Sequence, residues 1–245
     1  MKKSSKFLLV IPARMKSTRL PNKPLIDING QSMIERTCNQ VAKVVHKDNF
    51  LVATDHIKIK NHVEELGFQA ELTSEHCLTG TDRVAEIAKR YNYDYFINVQ
   101  GDEPLINPED VSKAINMIDR YPNSIINGYT PITNEKDYNS ITIPKLVFDK
   151  DEKLIYMSRS PIPGNKNNTF SKAWRQVCIY VFPKKELLAF SSRTEKSTLE
   201  NEEDIEILRF LEMGIDVQMV CMSSESIAVD VPEDIEKVEK KLNEN

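Results

Sequence analysis

Two carboxylates follow a stretch with the composition of a buried strand, in the Gln-Gly-Asp-Glu-Pro run at residues 100–104. The residues at 93–97 are aromatic or β-branched in the main, which is typical of a β-strand. Ligands bind at the carboxyl ends of strands in open α/β sheets, so Asp102 and Glu103 could hold a metal ion or act as a general base. A turn is the alternative, because Gly frees the backbone, Pro ends the strand and Asp bonds the loop.

Four cations lie close together after the first apolar run, at Arg14, Lys16, Arg19 and Lys23. At the carboxyl end of a central strand they would form a polyphosphate pocket, with Arg binding oxygens in a fork and Lys acting as a point charge. A solvated basic loop is the alternative. The glycines stand at 30, 67, 80, 101, 128, 164 and 214, too far apart for a Rossmann or Walker phosphate loop.

Asp230 is a further candidate acid, which follows the last apolar run and precedes Pro232. Together with Asp102 it could bind one Mg²⁺, an ion that prefers a few carboxylates, water and phosphate oxygens. A turn or helix-capping role is the alternative for Asp230. Among the histidines, His76 is predicted to reach the site, either as a substrate contact or as a surface residue. The pattern for a nucleophilic triad is lacking, and Glu103 is assigned only to the turn.

The composition indicates an ordinary soluble globular protein, with 245 residues, 40% of them hydrophobic and 29% charged. A net charge of -4 argues against a nucleic-acid binder. The opening apolar run at 7–11 is too short for a signal peptide, and no run reaches the ~20 residues of a membrane span. Cys38, Cys77, Cys178 and Cys221 form no CxxC pair, which favours reduced thiols and a cytoplasmic location over zinc or disulfides.

Apolar runs and helical periodicities alternate along the first half of the chain, which predicts an α/β fold with helices on both faces of a mainly parallel central sheet. The predicted strands are 7–11 (closed by Pro12), 50–54, 69–72, 93–97, 124–130, 142–148, 154–158, 177–182 and 217–221, the last of these a central strand. The predicted helices are 32–45, 57–66, 81–91, 108–120, 202–213 and 233–242. We expect a single domain over 1–245 with an inserted antiparallel section at about 140–200.

Several short motifs occur along the chain in a fixed order. They are Ile-Pro-Ala-Arg at 11–14, Ser-Thr-Arg-Leu-Pro at 17–21, Lys-Pro-Leu at 23–25, Val-Ala-Thr-Asp at 52–55, Thr-Gly-Thr-Asp-Arg at 79–83, Val-Gln-Gly-Asp-Glu-Pro at 99–104, Ser-Arg-Ser-Pro-Ile-Pro at 158–163 and Val-Asp at 229–230. The residues of these motifs and the order of the motifs resemble those of the sugar-acid cytidylyltransferases, and in particular those of the 3-deoxy-manno-octulosonate (KDO) cytidylyltransferase family. The resemblance extends over nearly the whole chain, so it is more specific than any single motif.

The resemblance implies a GT-A-like, Rossmann-like nucleotide-diphospho-sugar transferase fold and a homodimer. It implies a Mg²⁺-dependent enzyme that joins CTP to an acidic eight-carbon sugar, with the CMP-sugar serving lipopolysaccharide or capsule synthesis. Carried over by position, the catalytic residues are Arg14, Lys23, Asp102 and Asp230, and the metal ligands are Asp102 and Asp230. Among the substrate-binding residues, Ser17 and Arg19 would hold the triphosphate with Arg14 and Lys23, and the loop with His76, Thr79, Gly80, Thr81, Asp82 and Arg83 would help hold the cytidine. The residues that would face the sugar are Gln100, Arg159, Gln176 and Glu206, with Arg159 as the fork for its carboxylate, and Tyr180 completes the set.

This chain departs from the family pattern on the sugar side. Where the family commonly has His-Val-Gly-Ile-Tyr, residues 176–180 are Gln-Val-Cys-Ile-Tyr, and Met157 replaces a Phe. The nucleotide and metal positions match, so the hypothesis is a conserved reaction with a variant sugar, such as 8-amino-KDO or another 2-keto-3-deoxy acid. Activation of a nonulosonic acid and a catalytically silent paralogue are the alternatives. The absence of a glycine fingerprint argues against a nicotinamide-dependent oxidoreductase.

Overall fold

A computed structural model describes residues 6–17, 19–167, 169–193 and 195–244. Its strands are β1 (Phe7–Ala13), β2 (Asp27–Ile28), β3 (Gln31–Ser32), β4 (Phe50–Thr54), β5 (Ala70–Leu72), β6 (Tyr95–Val99), β7 (Ile125–Ile132), β8 (Lys145–Phe148), β9 (Leu154–Ser158), β10 (Ala173–Pro183) and β11 (Val217–Cys221). Its α-helices are α1 (Met33–Ala42), α2 (Ile57–Glu65), α3 (Gly80–Arg90), α4 (Pro108–Asn116), α5 (Glu135–Asn139), α6 (Lys184–Phe190), α7 (Thr198–Glu203), α8 (Ile207–Glu212) and α9 (Pro232–Asn243).

One large sheet organises the described residues, with the strand order β11-β7-β10-β6-β1-β4-β5. Its neighbours are parallel except at β10, which runs antiparallel to both β6 and β7. The β8–β9 hairpin is attached to the outer part of β10. The predicted α/β fold with a mainly parallel sheet and an inserted antiparallel section is therefore confirmed.

The sheet is covered on both faces because its strands are apolar on both. Leu8 and Val10 of β1 pack toward α3, α6 and α8, whereas Leu9 and Ile11 pack toward α1, α2 and α4. This alternation follows from the two-residue period of a strand. Within the described part of the chain, no helix has both the length and the apolar character that crossing a bilayer requires.

Local signals located several element ends correctly. Ser32 caps α1, and its hydroxyl accepts from Glu35 N while the Glu35 carboxylate accepts from Ser32 N. This reciprocal pair satisfies two amides that a helix cannot bond internally. Gly67, predicted to end the second helix, has a φ of 82° in the turn that follows α2, a conformation that glycine adopts without steric penalty.

The prediction that Pro12 closes the first strand is wrong. Pairing of β1 with β4 continues to Ala13, opposite Thr54. Pairing with β6 ends earlier, at Val10 opposite Asn98, and the Pro12 carbonyl then accepts from Gly101 N at 3.3 Å. Proline has no backbone N–H, and the nitrogen of Pro12 faces the side of β1 along which the pairing with β6 has already ended. The proline therefore removes no hydrogen bond from the sheet.

Two further predictions fail where tertiary contacts override periodicity. The helix predicted over 202–213 is two short helices, α7 and α8, separated by Asp204 in the left-handed region with a φ of 50°. The run at 217–221 forms β11 as predicted, but this strand lies at the edge of the sheet and is not central.

Gly101 lies where a strand end meets the backbone of β1, which leads to a testable stability prediction. A Cβ at this position would be 2.8 Å from Pro12 O and 3.2 Å from Ile34 Cδ1. Gly101→Ala should therefore lower the free energy of unfolding by about 1–3 kcal/mol through overpacking. Urea denaturation measures the change, with Gly164→Ala as the matched control because no described atom lies within 4 Å of its Cβ position. Equal stability of both variants would contradict the prediction.

Candidate functional site

One ammonium group lies between the two predicted metal ligands. Lys23 Nζ is 2.7 Å from Asp102 Oδ2 and 3.0 Å from Asp230 Oδ1. The two segments are also joined through the backbone, since Val229 N donates to Asp102 O at 3.0 Å. Burial lowers the pKa of Lys23, but the two carboxylates outweigh that effect and raise it overall. Carboxylates that are distant in sequence thus converge on one cation.

The polar loop that follows β1 lies beside this carboxylate pair. Arg19 Nη2 is 3.2 Å from Asp230 Oδ1, and Ser17 Oγ accepts from Leu20 N at 3.2 Å. Arg14 is exposed at the start of the loop. Thr18, which belongs to the same motif, lies outside the described residues. The predicted phosphate ligands therefore share one loop at the carboxyl end of β1.

Asp55, at the end of β4, anchors this loop to the neighbouring helix. Its carboxylate accepts from Met15 N at 3.0 Å and pairs with Arg83 Nη2 at 3.5 Å. Arg83 also donates to Thr73 Oγ1 and to Ser74 O. Arg83 is 3% exposed, so the structure places this predicted substrate contact in an internal ion pair and not on the surface of the site.

The N-terminus of α3 is bonded to a distant carboxylate. Gly80 N and Thr81 N donate to Glu206 at 3.0 Å and 2.9 Å, and the Thr81 hydroxyl donates to the same group. Thr79 caps the helix through Asp82 N. Burial raises the pKa of Glu206, although the hydrogen bonds from Thr81 and Gly80 oppose the shift. The predicted cytidine loop and the predicted sugar ligand Glu206 are therefore in direct contact. His76, earlier in the same loop, is exposed.

A buried ion cluster contacts the first turn of α3 through Asp82. The Arg209 guanidinium is fully buried and donates to Glu200 from Nε at 2.5 Å and from Nη2 at 2.6 Å. Its Nη1 is 3.1 Å from Asp82 Oδ1, and its centre lies 3.7 Å from the Phe190 ring centroid. Burial lowers the pKa of Arg209, but the carboxylate partners raise it overall. Asp82, predicted to bind substrate, is thus a partner in this cluster.

Polar side chains on the α3 face of β6 and β10 lie at the same end of the sheet. The Gln100 amide packs against Gly80, since a Cβ on that glycine would be 2.9 Å from Gln100 Nε2. Tyr180 faces Asn98 across the β6–β10 pair. Asn98 is fully buried, and neither polar atom of its side chain has a partner among the described residues. Burial raises the pKa of Tyr180 well above its usual value.

Gln176, which stands where the resembled family commonly has His, is bonded within the sheet. Its Nε2 donates to Asn127 Oδ1 at 2.9 Å, and Asn127 Nδ2 donates to Val177 O and Ile179 O. These bonds orient both amides, because each nitrogen has an acceptor. The Gln176 carbonyl Oε1 is thereby directed away from Asn127 as a hydrogen-bond acceptor.

Arg159 and Lys145 bind backbone carbonyls in the inserted section. Arg159 donates to Glu203 O at 2.5 Å, Asp204 O at 3.0 Å and Ile141 O at 3.1 Å. Lys145 is fully buried and donates to Arg159 O and two other carbonyls. Burial and the nearby Arg159 charge lower the pKa of Lys145 to about 8. The guanidinium predicted to bind a sugar carboxylate is therefore mostly engaged by the chain itself.

Glu103 is a residue that sequence reasoning assigned only to a turn. It is 4% exposed and accepts a hydrogen bond from the Ser226 hydroxyl. Burial raises the pKa of Glu103 to about 7, with the Ser226 bond acting in the opposite direction. The sequence carries no local signal for this contact, since Ser226 belongs to the segment between β11 and α9.

Sequence comparisons show similarity to cytidylyltransferases over most of the chain. A family model described as cytidylyltransferase matches residues 8–226. The 3-deoxy-manno-octulosonate cytidylyltransferase of Chloroherpeton thalassium is 39% identical over 237 residues, which are 95% of this chain and 96% of that protein. The enzyme of the same name from Protochlamydia amoebophila is 34% identical over 241 residues, covering 95% and 93% of the two chains.

Solved structures are also similar to this chain. A CMP:2-keto-3-deoxy-manno-octonic acid synthetase complexed with CTP superimposes with a TM-score of 0.90 at 32% identity, covering 98% of this chain and 99% of that one. The 4-diphosphocytidyl-2C-methyl-D-erythritol synthase of Anaerococcus prevotii has a TM-score of 0.65 at 17% identity and covers 98% of this chain and 100% of that one. The second similarity concerns the fold alone.

Proposed function

This chain belongs to the 3-deoxy-manno-octulosonate cytidylyltransferase family, and from that membership we propose that it couples CTP to KDO, releasing pyrophosphate and CMP-KDO. The single observation in its own structure that carries the proposal is the convergence of Asp102 and Asp230 on Lys23 beside Arg19. A silent paralogue would have no need of a carboxylate pair held next to cations. We propose that the product serves lipopolysaccharide or capsule synthesis, the role that the family resemblance implies.

We propose Mg²⁺ as the cofactor, held by Asp102 and Asp230. The chemistry of these donors fits, because both residues supply the hard carboxylate oxygens that Mg²⁺ prefers. The two carboxylates are also close enough to contact one cation together, since Lys23 Nζ lies within 3.0 Å of each. The described residues contain no group of three or more His, Cys, Asp or Glu side chains placed for a metal. Water and phosphate oxygens would complete the shell, as Mg²⁺ prefers. When bound, the ion would supply positive charge next to the phosphates and the attacking hydroxyl.

The residues of the β1 loop suit nucleotidyl transfer. The anomeric hydroxyl of the sugar attacks the α-phosphorus of CTP and pyrophosphate leaves, so negative charge increases on phosphate oxygens. Arg14, Arg19 and Lys23 would neutralise this charge, and Ser17 would donate a hydrogen bond. Cations that are positioned before the reaction stabilise the transition state without further reorganisation.

The remaining predicted contacts divide between base and sugar. We propose that the loop from His76 to the N-terminus of α3 holds the cytidine, with Asp82 and Arg83 supporting that loop from the interior. Gln100, Gln176, Tyr180 and Glu206 would lie on the sugar side. Arg159 remains the proposed partner of the sugar carboxylate, and to bind it the guanidinium would have to exchange one of its backbone carbonyl partners.

We also propose that the section at 140–200 contributes to sugar binding and to a homodimer interface, and that the enzyme is cytoplasmic. Support for an interface comes from Ile141 and Ile155, which are 71% and 60% exposed although apolar. Support for the location comes from the scattered cysteines, which form no disulfide among the described residues.

The proposal is tested by pyrophosphate release from CTP with Mg²⁺ across a panel of acidic sugars. The panel contains KDO, 8-amino-KDO and a nonulosonic acid, each also assayed without enzyme. We expect KDO to exceed the nonulosonic acid by at least about tenfold in kcat/KM, which corresponds to about 1.4 kcal/mol. Release with none of the acids would contradict the proposed activity. Release with the nonulosonic acid alone would show that this acid, and not KDO, is the substrate.

The orientation of Gln176 favours one second candidate, 8-amino-KDO. Asn127 holds Gln176 Nε2 at 2.9 Å, which leaves a carbonyl oxygen able to accept from an ammonium group. The same panel separates the two sugars, because a preference for KDO over its 8-amino analogue excludes the second candidate. If the wild type prefers 8-amino-KDO and Gln176→His loses that preference, 8-amino-KDO is the substrate.

A further inference from the structure

Glu103 connects the strand end that carries Asp102 to the segment that carries Asp230. Its buried carboxylate accepts from the Ser226 hydroxyl, and Ser226 is itself only 6% exposed. Three residues further along the chain, Val229 N donates to Asp102 O at 3.0 Å. Both bonds join residues 102–103 to residues 226–229, one through the side chain of Glu103 and the other through the backbone of Asp102.

The segment between β11 and α9, residues 222–231, is bonded to the rest of the fold at several other points, among them Arg175 Nη2 to Ser224 O at 3.2 Å and Lys241 Nζ to Glu225 O at 2.7 Å. Ser223 is bonded to the Asp110 carboxylate through its backbone N at 3.0 Å and its hydroxyl at 2.6 Å. At the other end, Asp230 N donates to Asp234 Oδ2 at 3.0 Å. Ser226 lies between these two ends, and its side chain bonds directly to the residue that follows Asp102.

A buried carboxyl group is retained only when a hydrogen bond offsets its desolvation. A turn after β6 requires the Gly and the Pro of its motif, but it does not require a glutamate that is directed inward and bonded to a distant segment. The turn alone therefore does not account for the burial and the partner of Glu103. The segment that Glu103 contacts carries Asp230, which faces Asp102 across Lys23.

We propose that Glu103 is a positioning residue for the Asp102–Asp230 pair, acting through Ser226 to keep Asp230 opposite Asp102. This inference rests on the metal site of the proposed function. Residues that orient metal ligands commonly change metal affinity by 10- to 100-fold when they are removed. Glu103 does not touch the Lys23 ammonium in this arrangement, and its effect is on where Asp230 lies.

Two measurements test the proposal on the full-length protein. Amide hydrogen exchange of residues 222–231 in metal-free protein reports on the segment itself, and Mn²⁺ titration with CTP present reports on the carboxylate pair. Glu103→Ala and Ser226→Ala should each raise the exchange rate of Val229 N at least about tenfold and weaken Mn²⁺ binding about 10- to 100-fold. The double variant should match the single ones, because both remove the same bond.

The controls separate positioning from general destabilisation. Glu103→Gln retains an acceptor for Ser226 and should stay within about threefold of the wild type in Mn²⁺ affinity. Glu109→Ala removes an exposed carboxylate from the next helix and should change neither readout. Unaltered exchange in both Glu103→Ala and Ser226→Ala would overturn the proposal. If the wild type itself fails to bind Mn²⁺, the metal assignment is wrong, whereas the exchange data still decide whether Glu103 holds the segment.

Discussion

Asp102→Asn is expected to lose pyrophosphate-release activity by about 10²- to 10³-fold, the size of effect seen when one preorganised electrostatic contact is removed from an active site. The change replaces a charged oxygen that lies 2.7 Å from Lys23 Nζ with a neutral amide. Among the residues that the structure describes, it leaves Asp230 as the one carboxylate at ion-pair distance from Lys23, so the proposed metal loses half of its protein ligands. Asp230→Asn should have a comparable effect for the same reason.

The measurement is initial-rate pyrophosphate release over a range of Mg²⁺ concentrations. Asp48→Asn is the matched control, because that carboxylate is 67% exposed and pairs only with His46 among the described partners; it should retain wild-type rates. Thermal denaturation of each variant excludes unfolding as the cause. Full activity in Asp102→Asn would show that the metal assignment is wrong.

Arg209→Met should lower the free energy of unfolding by about 3–5 kcal/mol, the loss expected when one partner of a buried ion pair is removed. The methionine would leave Glu200, whose side chain is 1% exposed, without the guanidinium that now binds both of its oxygens. It would also release Asp82 at the start of α3. The first turn of α3, which also contacts Glu206, would then lose its second charged contact with α8.

A surface pair provides the control for this prediction. Arg90 pairs with Glu86 and with Glu71, and all three side chains are 24–40% exposed. Arg90→Met should therefore cost less than about 1 kcal/mol, because solvent screens exposed pairs. Urea denaturation of both variants gives the comparison. A loss of stability in Arg209→Met no greater than in Arg90→Met would show that the cluster contributes little.

Features that depend on neighbouring residues were predictable from sequence. The apolar runs of β4, β9 and β11 begin and end where they were expected. The Ser32 cap and the end of α2 at Gly67 also follow from residues three or four positions apart. Such interactions are local, so composition and spacing contain the information that determines them.

Features that depend on distant residues were not predictable in the same way. The amphipathic pattern at 202–213 predicts one helix, but Asp204 breaks it. The break allows the Glu203 and Asp204 carbonyls to accept from Arg159 while Glu206 reaches the N-terminus of α3. Periodicity reports which face of a helix is apolar and contains nothing about partners more than 40 residues away.

The candidate site illustrates both kinds of information. Residue types near predicted strand ends made Asp102, Asp230 and Lys23 candidates, with a turn, a helix cap and a solvated loop as the alternatives. Their catalytic roles followed from the family resemblance. Only the tertiary structure shows that the two carboxylates share one ammonium at 2.7 Å and 3.0 Å. It also reassigns Glu103 from a turn to a buried contact with Ser226. Such distances depend on how segments far apart in sequence pack against each other, which no local pattern encodes.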